Sequence, residues 1–359
     1  MKNLYIIYCA VALSLLAGCK MASSPSSEPG ADISGNKNWS SIAMSPDGEK
    51  LAAVVWNGHI YTSSNSGAKW TDRSTGAIAG DKEWYSIAIS PDGTKLAAVA
   101  NEGHIYTSDN YGATWTDRST GAIEGNKTWR SIAMSSNGEK LAAVAYEGHL
   151  YTSKDSGDSW TDRSTGAIAG NKNWISIAMS DDGQELAAVA NPGHIYTSTD
   201  SGATWTDRST AGSEIAGNKL WTSIAMSGNG DELAAVATKG HLYSYTDEES
   251  TWTDRSTGTI SGAKNWFSIA MSGNGEKLAA AVLLGHIYTS TDSGETWTNR
   301  STAAGSVSVI GGAKYWYSIA MSDNGERLAA VVFGGHIYTS SNSGATWTDR
   351  SRAPNTGAP

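Results

Sequence analysis

The chain repeats one unit seven times, and this repetition limits the folds open to it more than any other feature of the sequence. Each unit starts close to a tryptophan, at a spacing of 45 to 50 residues: Trp39, Trp84, Trp129, Trp174, Trp221, Trp266 and Trp316. The chain's seven histidines fall one to a unit, at His59, His104, His149, His194, His241, His286 and His336. A second tryptophan closes each unit, at Trp70, Trp115, Trp160, Trp205, Trp252, Trp297 and Trp347. We therefore expect seven equivalent structural units in one array.

Each unit contains four short segments with the composition of β-strands. In the first unit they cover residues 41–45, 51–55, 59–63 and 70–74. The turns between them are marked by Pro46-Asp47-Gly48 and by Asn57-Gly58, both typical of tight turns. No segment has helical periodicity, and glycine recurs too often for helices. The units are predicted to be entirely β.

Four strands in about 45 residues are typical of one blade of a β-propeller. The first two strands carry mostly Ser, Ala and Val, whereas the last two bring Tyr61 and Trp70. This gradient suits a wedge that is narrow at an axis and wide at its rim. A β-helix has shorter coils, and an array of β-sandwiches needs about seven strands per domain. The sequence predicts an all-β fold, a seven-bladed β-propeller of four-stranded antiparallel blades, over residues 32–351.

The register of the repeat also predicts how the ring closes. The first unit begins with its innermost strand, and the seventh ends with its outermost strand at residues 347–351. No strand is left to complete a mixed blade. We therefore expect blade seven to pack on blade one without a shared sheet.

The amino terminus has the pattern of a secretion signal. One lysine precedes an apolar run from Leu4 to Leu16 that is too short to span a membrane comfortably. The following Leu16-Ala17-Gly18-Cys19 resembles the lipobox of bacterial lipoproteins, which implies cleavage after residue 18 and lipidation of Cys19. Lys20 favours an outer-membrane lipoprotein of the bacterial cell envelope, facing the periplasm or the exterior. The alternative is an ordinary signal peptide with a chance cysteine.

The flanking segments and the composition set further expectations. Residues 19–31, rich in Ser and Pro, are predicted to be a flexible tether, and residues 352–359 a disordered tail. The only cysteines are Cys9 and Cys19, so the mature body has no disulfide. The formal charge is −9 and no long basic run occurs, which makes nucleic acid an improbable partner. Apart from the lipid anchor, no membrane contact is expected, and the protein is expected to be a monomer without cofactors.

The third turn of each unit resembles a known motif. Residues 198–205, Ser-Thr-Asp-Ser-Gly-Ala-Thr-Trp, resemble the Asp-box, or BNR repeat, of sialidases and related propellers. Asn65, Asn110 and Asn342 replace the aspartate in three units, and Glu249 stands where the fifth unit should have glycine. We expect blade five to have the loosest hairpin, because glutamate is strained at positive φ. The motif is a turn device, so the resemblance speaks for the fold and not for an activity.

The resemblance to sialidases does not extend to their chemistry. Sialidases hold the substrate carboxylate with three converging arginines and use a tyrosine nucleophile, its glutamate partner and an acid/base aspartate. Here seven arginines take the same rim position in successive units: Arg73, Arg118, Arg163, Arg208, Arg255, Arg300 and Arg350. No Phe-Arg-Ile-Pro motif occurs. We predict a protein that is not an enzyme, and a glycoside hydrolase of the sialidase superfamily remains the alternative. The chain is also similar in blade count to photosystem II assembly and stability factors, which leaves a scaffold for a membrane complex open.

The units differ mainly at two places. One follows the first tryptophan (Ser40, Tyr85, Arg130, Ile175, Thr222, Phe267 and Tyr317), and the other precedes the Gly-His pair (Trp56, Asn101, Tyr146, Asn191, Thr238, Leu283 and Phe333). In a propeller both places border the same face. We predict that this face binds a glycan or a protein through exposed aromatic and polar side chains. The candidate ligand-binding residues are Trp56, Tyr85, Asn101, Arg130, Tyr146, Asn191, Phe267, Tyr317 and Phe333; the alternative is neutral drift at tolerant positions.

Two constant residue types could also contribute to this face. A lysine lies two residues before each first tryptophan, at Lys37, Lys82, Lys127, Lys172, Lys219, Lys264 and Lys314. These lysines either form a positive ring for an anionic ligand or are simply solvated. One histidine per blade is too dispersed for a metal site, so no metal is expected. We expect each imidazole to bond to a neighbouring blade, and the first tryptophans to fill the space between blades.

Overall fold

The computed structural model describes residues 31–210, 213–247, 251–301 and 309–351. Within these ranges twenty-eight strands form seven antiparallel sets of four, with no α-helix. The predicted all-β fold of seven four-stranded antiparallel blades is confirmed. The signal peptide (1–18), Cys19, the tether up to residue 30 and the tail at 352–359 lie outside the described residues.

The strands follow one another in sequence from the inside of each blade to the outside. Blade one contains β1 (Lys37–Met44), β2 (Leu51–Gly58), β3 (Ile60–Ser63) and β4 (Thr71–Asp72), and blade two contains β5 (Lys82–Ile89), β6 (Leu96–Ala100), β7 (Ile105–Ser108) and β8 (Thr116–Asp117). Blade three contains β9 (Trp129–Met134), β10 (Leu141–Ala145), β11 (Leu150–Ser153) and β12 (Thr161–Asp162), and blade four contains β13 (Trp174–Met179), β14 (Leu186–Ala190), β15 (Ile195–Ser198) and β16 (Thr206–Asp207). Blade five contains β17 (Trp221–Met226), β18 (Glu232–Ala237), β19 (Leu242–Thr246) and β20 (Thr251–Asp254). Blade six contains β21 (Trp266–Met271), β22 (Leu278–Gly285), β23 (Ile287–Ser290) and β24 (Thr298–Asn299), and blade seven contains β25 (Lys314–Met321), β26 (Leu328–Gly335), β27 (Ile337–Ser340) and β28 (Thr348–Asp349). Short 3-10 turns at Gly76–Ile78, Gly121–Ile123, Gly166–Ile168 and Gly258–Ile260 follow the outer strands of blades one, two, three and five.

The inner two strands of each blade form a ladder of small residues. In blade one Ile42 pairs with Ala53, while the register shifts between Trp39 and Ser41. This β-bulge lets the strand continue back to Lys37, so the innermost strand begins earlier than the sequence pattern indicated. The outermost strand is shorter than expected, with only Thr71 and Asp72 in the ladder.

The core lies between neighbouring blades. Ile60 and Ile78 of blade one pack with Trp84 and Leu96 of blade two in one buried cluster, and equivalent clusters join the following blades. The Trp84 side chain is fully buried, as is the first tryptophan of every blade. Alanine in the inner strands lets the sheets approach each other, and the large indole rings fill the space between them. The predicted packing role of the first tryptophans matches this arrangement.

Short backbone bridges also join the blades at one end. The loop after β2 pairs with the start of β5 through Gly58 and Lys82, and the same bridge recurs at the other blade boundaries. Blade seven is joined to blade one in this way, because Asn38 pairs with Phe333. Each blade keeps its own four strands, but the prediction that packing alone closes the ring is wrong. Pairing continues across the boundary because the bulge brings the start of each inner strand against the preceding loop.

The hairpins between the third and fourth strands have the geometry of a side-chain-capped turn. In blade four the Asp200 carboxylate accepts the backbone N–H of Thr204 at 2.8 Å, and the Ser198 hydroxyl accepts that of Gly202 at 2.9 Å. Gly202 has φ +83°, and Ser201 before it also has positive φ. The Trp205 indole donates to the Gly202 carbonyl at 3.1 Å, which fastens the hairpin to its blade. In blade five the residues around Glu249 lie outside the described residues, so the loose hairpin predicted there stays a prediction.

Candidate ligand-binding face

Both variable places lie at the same end of the blades. The loop that follows the second strand of one blade pairs directly with the start of the inner strand of the next, as Trp56 does with Glu83. We call this end the loop face, and the opposite end, formed by the capped hairpins, the hairpin face. All nine candidate residues lie on the loop face.

A first group of candidates comes from blades one to three. The rings of Trp56 and Tyr85 meet edge to face with their centroids 6.0 Å apart. The Arg130 guanidinium carbon lies 4.5 Å from the Tyr85 ring centroid and 5.2 Å from that of Tyr146. Guanidinium groups bind aromatic faces electrostatically, so Arg130 holds the two tyrosines together.

A second group comes from blades six and seven. The Tyr317 ring lies 4.5 Å from Phe267 and 5.3 Å from Phe333, measured between centroids. Burial raises the pKa of Tyr317, and its hydrogen bond with Tyr85 acts in the same direction. This bond joins blade seven to blade two past the intervening blade one, so it is made where the inner strands converge on the axis.

These contacts combine seven of the nine candidates into one body, which we call the axial cluster: Trp56, Tyr85, Arg130, Tyr146, Phe267, Tyr317 and Phe333. The sequence predicted exposed aromatic side chains at these positions. Every member is instead half-buried. The difference arises because the inner strands converge, so their side chains pack on each other before they meet solvent.

The two asparagine candidates behave differently from each other. Asn101 accepts a hydrogen bond from Arg130 at 3.0 Å and donates one to Glu83 at 2.6 Å, which extends the cluster with polar groups. Asn191 donates to the Trp221 carbonyl at 2.6 Å. Its amide therefore ties blade four to blade five, and no described contact joins it to the axial cluster.

The structure adds three exposed apolar side chains on the loop face that the sequence did not indicate: Leu220, 39% exposed at the boundary between blades four and five, and the pair Leu284 and Tyr315. Leu284 is 52% exposed and Tyr315 is 50% exposed, and both belong to the boundary between blades six and seven, where Leu283 pairs with Tyr315. Leu284 also has a φ of +56°, a conformation that is strained for leucine. For Tyr315 the sequence contained an indication of exposure, because the position before the first tryptophan is polar in five of the other six units (Asn38, Glu83, Thr128, Asn173 and Asn265).

The repeated histidines pair within their own blades. In blade one His59 Nδ1 lies 2.5 Å from the Asp72 carboxylate, and the same pair occurs in every blade except blade six. The expectation that each imidazole bonds to a neighbouring blade is therefore wrong, because the third and fourth strands place the pair side by side. His59 alone among the described histidines also reaches toward the next blade, with Nε2 3.4 Å from the carboxylate of Asp81. In blade six Asn299 replaces the aspartate, and His286 Nδ1 is buried without a partner among the described residues.

The repeated lysines lie over tyrosine rings. Lys37 Nζ is 5.9 Å from the Tyr61 ring centroid, and five other blades repeat this contact at 5.3 to 5.9 Å. Burial, reinforced by the nearby Asp72 charge, raises the pKa of Tyr61 to about 12. The lysines thus have a packing role in the blade that the sequence did not reveal.

The rim arginines do not converge. Each donates its Nε–H to a hydroxyl of the third strand in its own blade, as Arg73 does to Thr62 at 2.8 Å and Arg300 to Thr289 at 2.7 Å. Each arginine is therefore fixed to its own blade. The described part of the chain contains no group of three or more His, Cys, Asp or Glu side chains that could hold a metal ion. None of the helical segments in that part is long and apolar enough to cross a membrane.

Seven radial four-stranded sheets that pack face to face and are linked at one end by short backbone bridges define a β-propeller, and solved propellers have similar structures. A GH74 xyloglucanase from Xanthomonas campestris superimposes with a TM-score of 0.68 and 16% identity, over 90% of this chain and 55% of that one. The structure of YCF48 bound to D1 peptide superimposes with a TM-score of 0.62 and 16% identity, over 87% of this chain and 95% of the other. The Cps50 (Swd1) propeller domain of Myceliophteria thermophila superimposes with a TM-score of 0.63 and 14% identity, over 86% of this chain and 97% of the other.

These similarities establish the fold alone. The chain spans about half the length of the xyloglucanase it matches. No protein-family model and no curated protein matches the sequence. The neighbours include an enzyme as well as a propeller with a bound peptide, so a function has to be argued from this chain's own residues.

Proposed function

We propose that the protein is a non-catalytic binding propeller that holds an extended peptide segment of a partner protein across the loop face. The observation that carries the proposal is the exposed apolar pair Leu284 and Tyr315, at one blade boundary of the face that also carries the half-buried axial cluster. Single exposed apolar residues are common on protein surfaces, but two at one blade boundary, on the face that carries packed aromatics, suit an anchor for a partner.

The loop face has two unlike sides that suit a peptide. Blades six and seven contribute the exposed apolar side chains Leu284 and Tyr315, and Phe333 belongs to the strand that pairs with the strand of Tyr315. Across the axis, Arg130, Asn101 and Glu83 form a hydrogen-bonded polar group. A peptide lying over the mouth of the axis can place an apolar side chain on the first side and its backbone or a polar side chain on the second. The peptide bound to YCF48, a propeller of similar fold, supports this choice of ligand.

The proposal includes the place of the protein in the cell. Lipidation of Cys19 would anchor it to the bacterial outer membrane, and residues 19–31 would serve as a tether for a monomeric propeller. Radiolabelled palmitate incorporation into the wild-type chain, and its loss in Cys19→Ser, tests the anchor. Incorporation that survives the substitution would contradict it.

A glycan is the second candidate ligand. The half-buried rings of Trp56 and Phe333 border the same face, and aromatic rings stack on sugars. The xyloglucanase of similar fold makes a polysaccharide a reasonable probe. Binding and hydrolysis are measured with xyloglucan and with a fluorogenic sialoside. We expect the protein to hydrolyse neither compound. Hydrolysis of either compound would replace this proposal with the hydrolase alternative.

The peptide proposal is tested with a peptide array and two substitutions that the fold already tolerates elsewhere. Leu284→Lys introduces the residue that blade five has at the same positive φ, Lys239, and Tyr315→Asn introduces the residue of blade six, Asn265. Tyr111→Lys on the hairpin face, where Tyr111 is 46% exposed, is the matched control. We expect each loop-face variant to weaken the binding of selected peptides at least tenfold, and the control to leave binding unchanged. Equal binding by all three variants would refute the proposal.

A further inference from the structure

The hairpin face carries grooves between neighbouring blades, built from equivalent residues. Each groove is bordered by the rim arginine of one blade, by the residue at or just before the start of its second strand, and by the hairpin of the next blade. The grooves after blades two, three, four and seven are well formed in the described residues. Because the framework is constant, differences between the grooves show what is particular to each.

The groove between blades three and four differs from its neighbours in charge. Its lining includes the cations Lys140, Lys154 and Arg163 and no carboxylate. The groove after blade two contains Asp109 and Asp158 besides its cations. The groove after blade four has Arg208 as its cation together with three acidic side chains, Glu185, Asp231 and Asp247. The groove between blades three and four is thus a local positive site on a chain whose formal charge is −9.

The outer nitrogens of this groove's arginine have no hydrogen-bond partner among the described residues. Arg163 Nε donates to the Thr152 hydroxyl at 2.7 Å, which fixes the direction of the guanidinium. In the preceding groove Arg118 is similarly held, but it also forms an ion pair with Asp158 of the next blade. The residue of blade four that corresponds to Asp158 is Ala203, so the described residues offer Arg163 no such pair.

Two carboxylates flank the groove without lining it, and both are already engaged. Asp155 accepts the backbone N–H of Ser159 at 2.9 Å and the hydroxyl of Ser153 at 2.8 Å. Asp182 accepts the backbone N–H of Gln184 at 2.8 Å; this bond lowers the pKa of Asp182, and the Lys140 charge adds to the effect. Both carboxylates accept hydrogen bonds within their own turns, so they offset the positive charge of the groove only in part.

We propose that this groove binds one sulfate or phosphate group, either as the free ion or as an ester on a saccharide. A tetrahedral oxyanion matches an arginine with free N–H groups flanked by two ammonium groups, and the hydroxyls of Ser201 and Thr161 also line the groove. The groove between blades seven and one, with Arg327 and Arg350, also lacks carboxylates among its lining residues. It is smaller, about 380 Å³ compared with about 690 Å³. In both grooves a cation reaches the serine of the next hairpin: Arg327 hydrogen-bonds Ser66, and Lys140 donates to the Ser201 hydroxyl at 3.3 Å. The proposal is independent of the peptide site because it concerns the opposite face.

The test uses substitutions to residues that occur at the same position in other blades. Lys154→Asp copies Asp109 of blade two, and Lys140→Glu copies Glu185 of blade four, so both are compatible with the fold. Calorimetric titration with inorganic sulfate at low ionic strength, where screening is weak, should show one site per chain. Each variant should weaken that site at least tenfold, because each replaces an attractive charge by a repulsive one. Leu284→Lys on the loop face should leave it unchanged.

Two further experiments test the sulfate site: a double variant that should gain a second site, and a sulfated saccharide as a second ligand. Asp109→Lys combined with Asp158→Ala gives the groove after blade two the charge pattern of the proposed site, and we expect a second equivalent of sulfate to bind. A heparin-derived tetrasaccharide that binds at least tenfold more tightly than inorganic sulfate would identify an ester on a saccharide as the ligand, and equal affinities would identify the free ion. Sulfate binding that is undetectable, or that Lys154→Asp and Lys140→Glu leave unchanged, would overturn the proposal.

Discussion

Replacing Asn299 in blade six by aspartate is expected to stabilise the fold, because it restores a pair that the other six blades contain. In blade three, for example, His149 Nδ1 lies 2.5 Å from the Asp162 carboxylate. In blade six His286 Nδ1 is buried without a partner among the described residues, and its ring stands at 73° to the Tyr288 ring. The corresponding ring pair in blade three is inclined by only 33°. The missing carboxylate thus coincides with both an unsatisfied nitrogen and a turned imidazole.

The size of the effect follows from the burial of the two groups. A buried polar atom without a partner costs about 1–3 kcal/mol. The aspartate side chains of five of the other six pairs are partly exposed, 40% for Asp162, so solvent screens part of the gain. We expect Asn299→Asp to raise the free energy of unfolding by about 1 kcal/mol.

Urea denaturation of the wild type, Asn299→Asp and the reverse substitution Asp162→Asn measures this effect at neutral pH. The reverse variant should lose about as much stability as the forward variant gains. In NMR spectra the His286 ring protons should move upfield in Asn299→Asp, because the ring would lie over Tyr288. If neither substitution changes the free energy of unfolding by more than about 0.3 kcal/mol, the pair contributes nothing and the reasoning is refuted.

Three further predictions concern the core, the axis and the capped hairpins. Trp84→Ala should lower the free energy of unfolding by about 3–5 kcal/mol, since the indole is fully buried between blades, and calorimetry would show a marked fall in Tm. Tyr317→Phe removes the hydroxyl that bonds to Tyr85 and should cost about 0.5–1.5 kcal/mol in urea denaturation; a neutral result would show that the bond is not maintained in solution. The pKa of Asp200 is lowered chiefly by the backbone N–H of Thr204, so its ionised form contributes stability above the unfolded-state pKa that is lost as pH falls through the lower folded-state value. The stability difference between wild type and Asp200→Asn should therefore narrow between pH 6 and about pH 2 in parallel denaturation curves, and a constant difference would contradict this explanation.

The repeat makes the chain its own reference. Residues that recur in every blade have structural partners in all blades or in all but blade six: lysine on tyrosine, histidine on aspartate, arginine on a third-strand hydroxyl. Positions that depart from the repeat then indicate where a ligand could bind. Two examples are the apolar pair at one blade boundary and the groove whose lining has no carboxylate. Both proposals rest on such departures, and both use substitutions taken from other blades. This choice separates loss of binding from loss of fold.

The sequence alone was sufficient for the fold because the relevant signals are local and repeated. The turn residues around Asp47 and Asn57, the alternation of small and aromatic strands and the recurring tryptophans are all set within one unit of about 45 residues. Seven copies of such a signal leave little ambiguity. The sequence also predicted that the variable residues share one end of the blades. The order in which the strands of one blade are connected determines that end.

The tertiary structure alone decided what those variable residues do. Tyr85 and Tyr317 are far apart in the chain and belong to blades that are not neighbours, and they meet only because the ring closes and the inner strands converge. The same convergence half-buries the predicted aromatics, whereas Leu284 and Tyr315 at the boundary between blades six and seven are exposed. Spacing within a repeat contains no information about distances across the axis or about the charge facing a groove from the next blade. Those depend on how many blades close the ring and on the angle at which they pack.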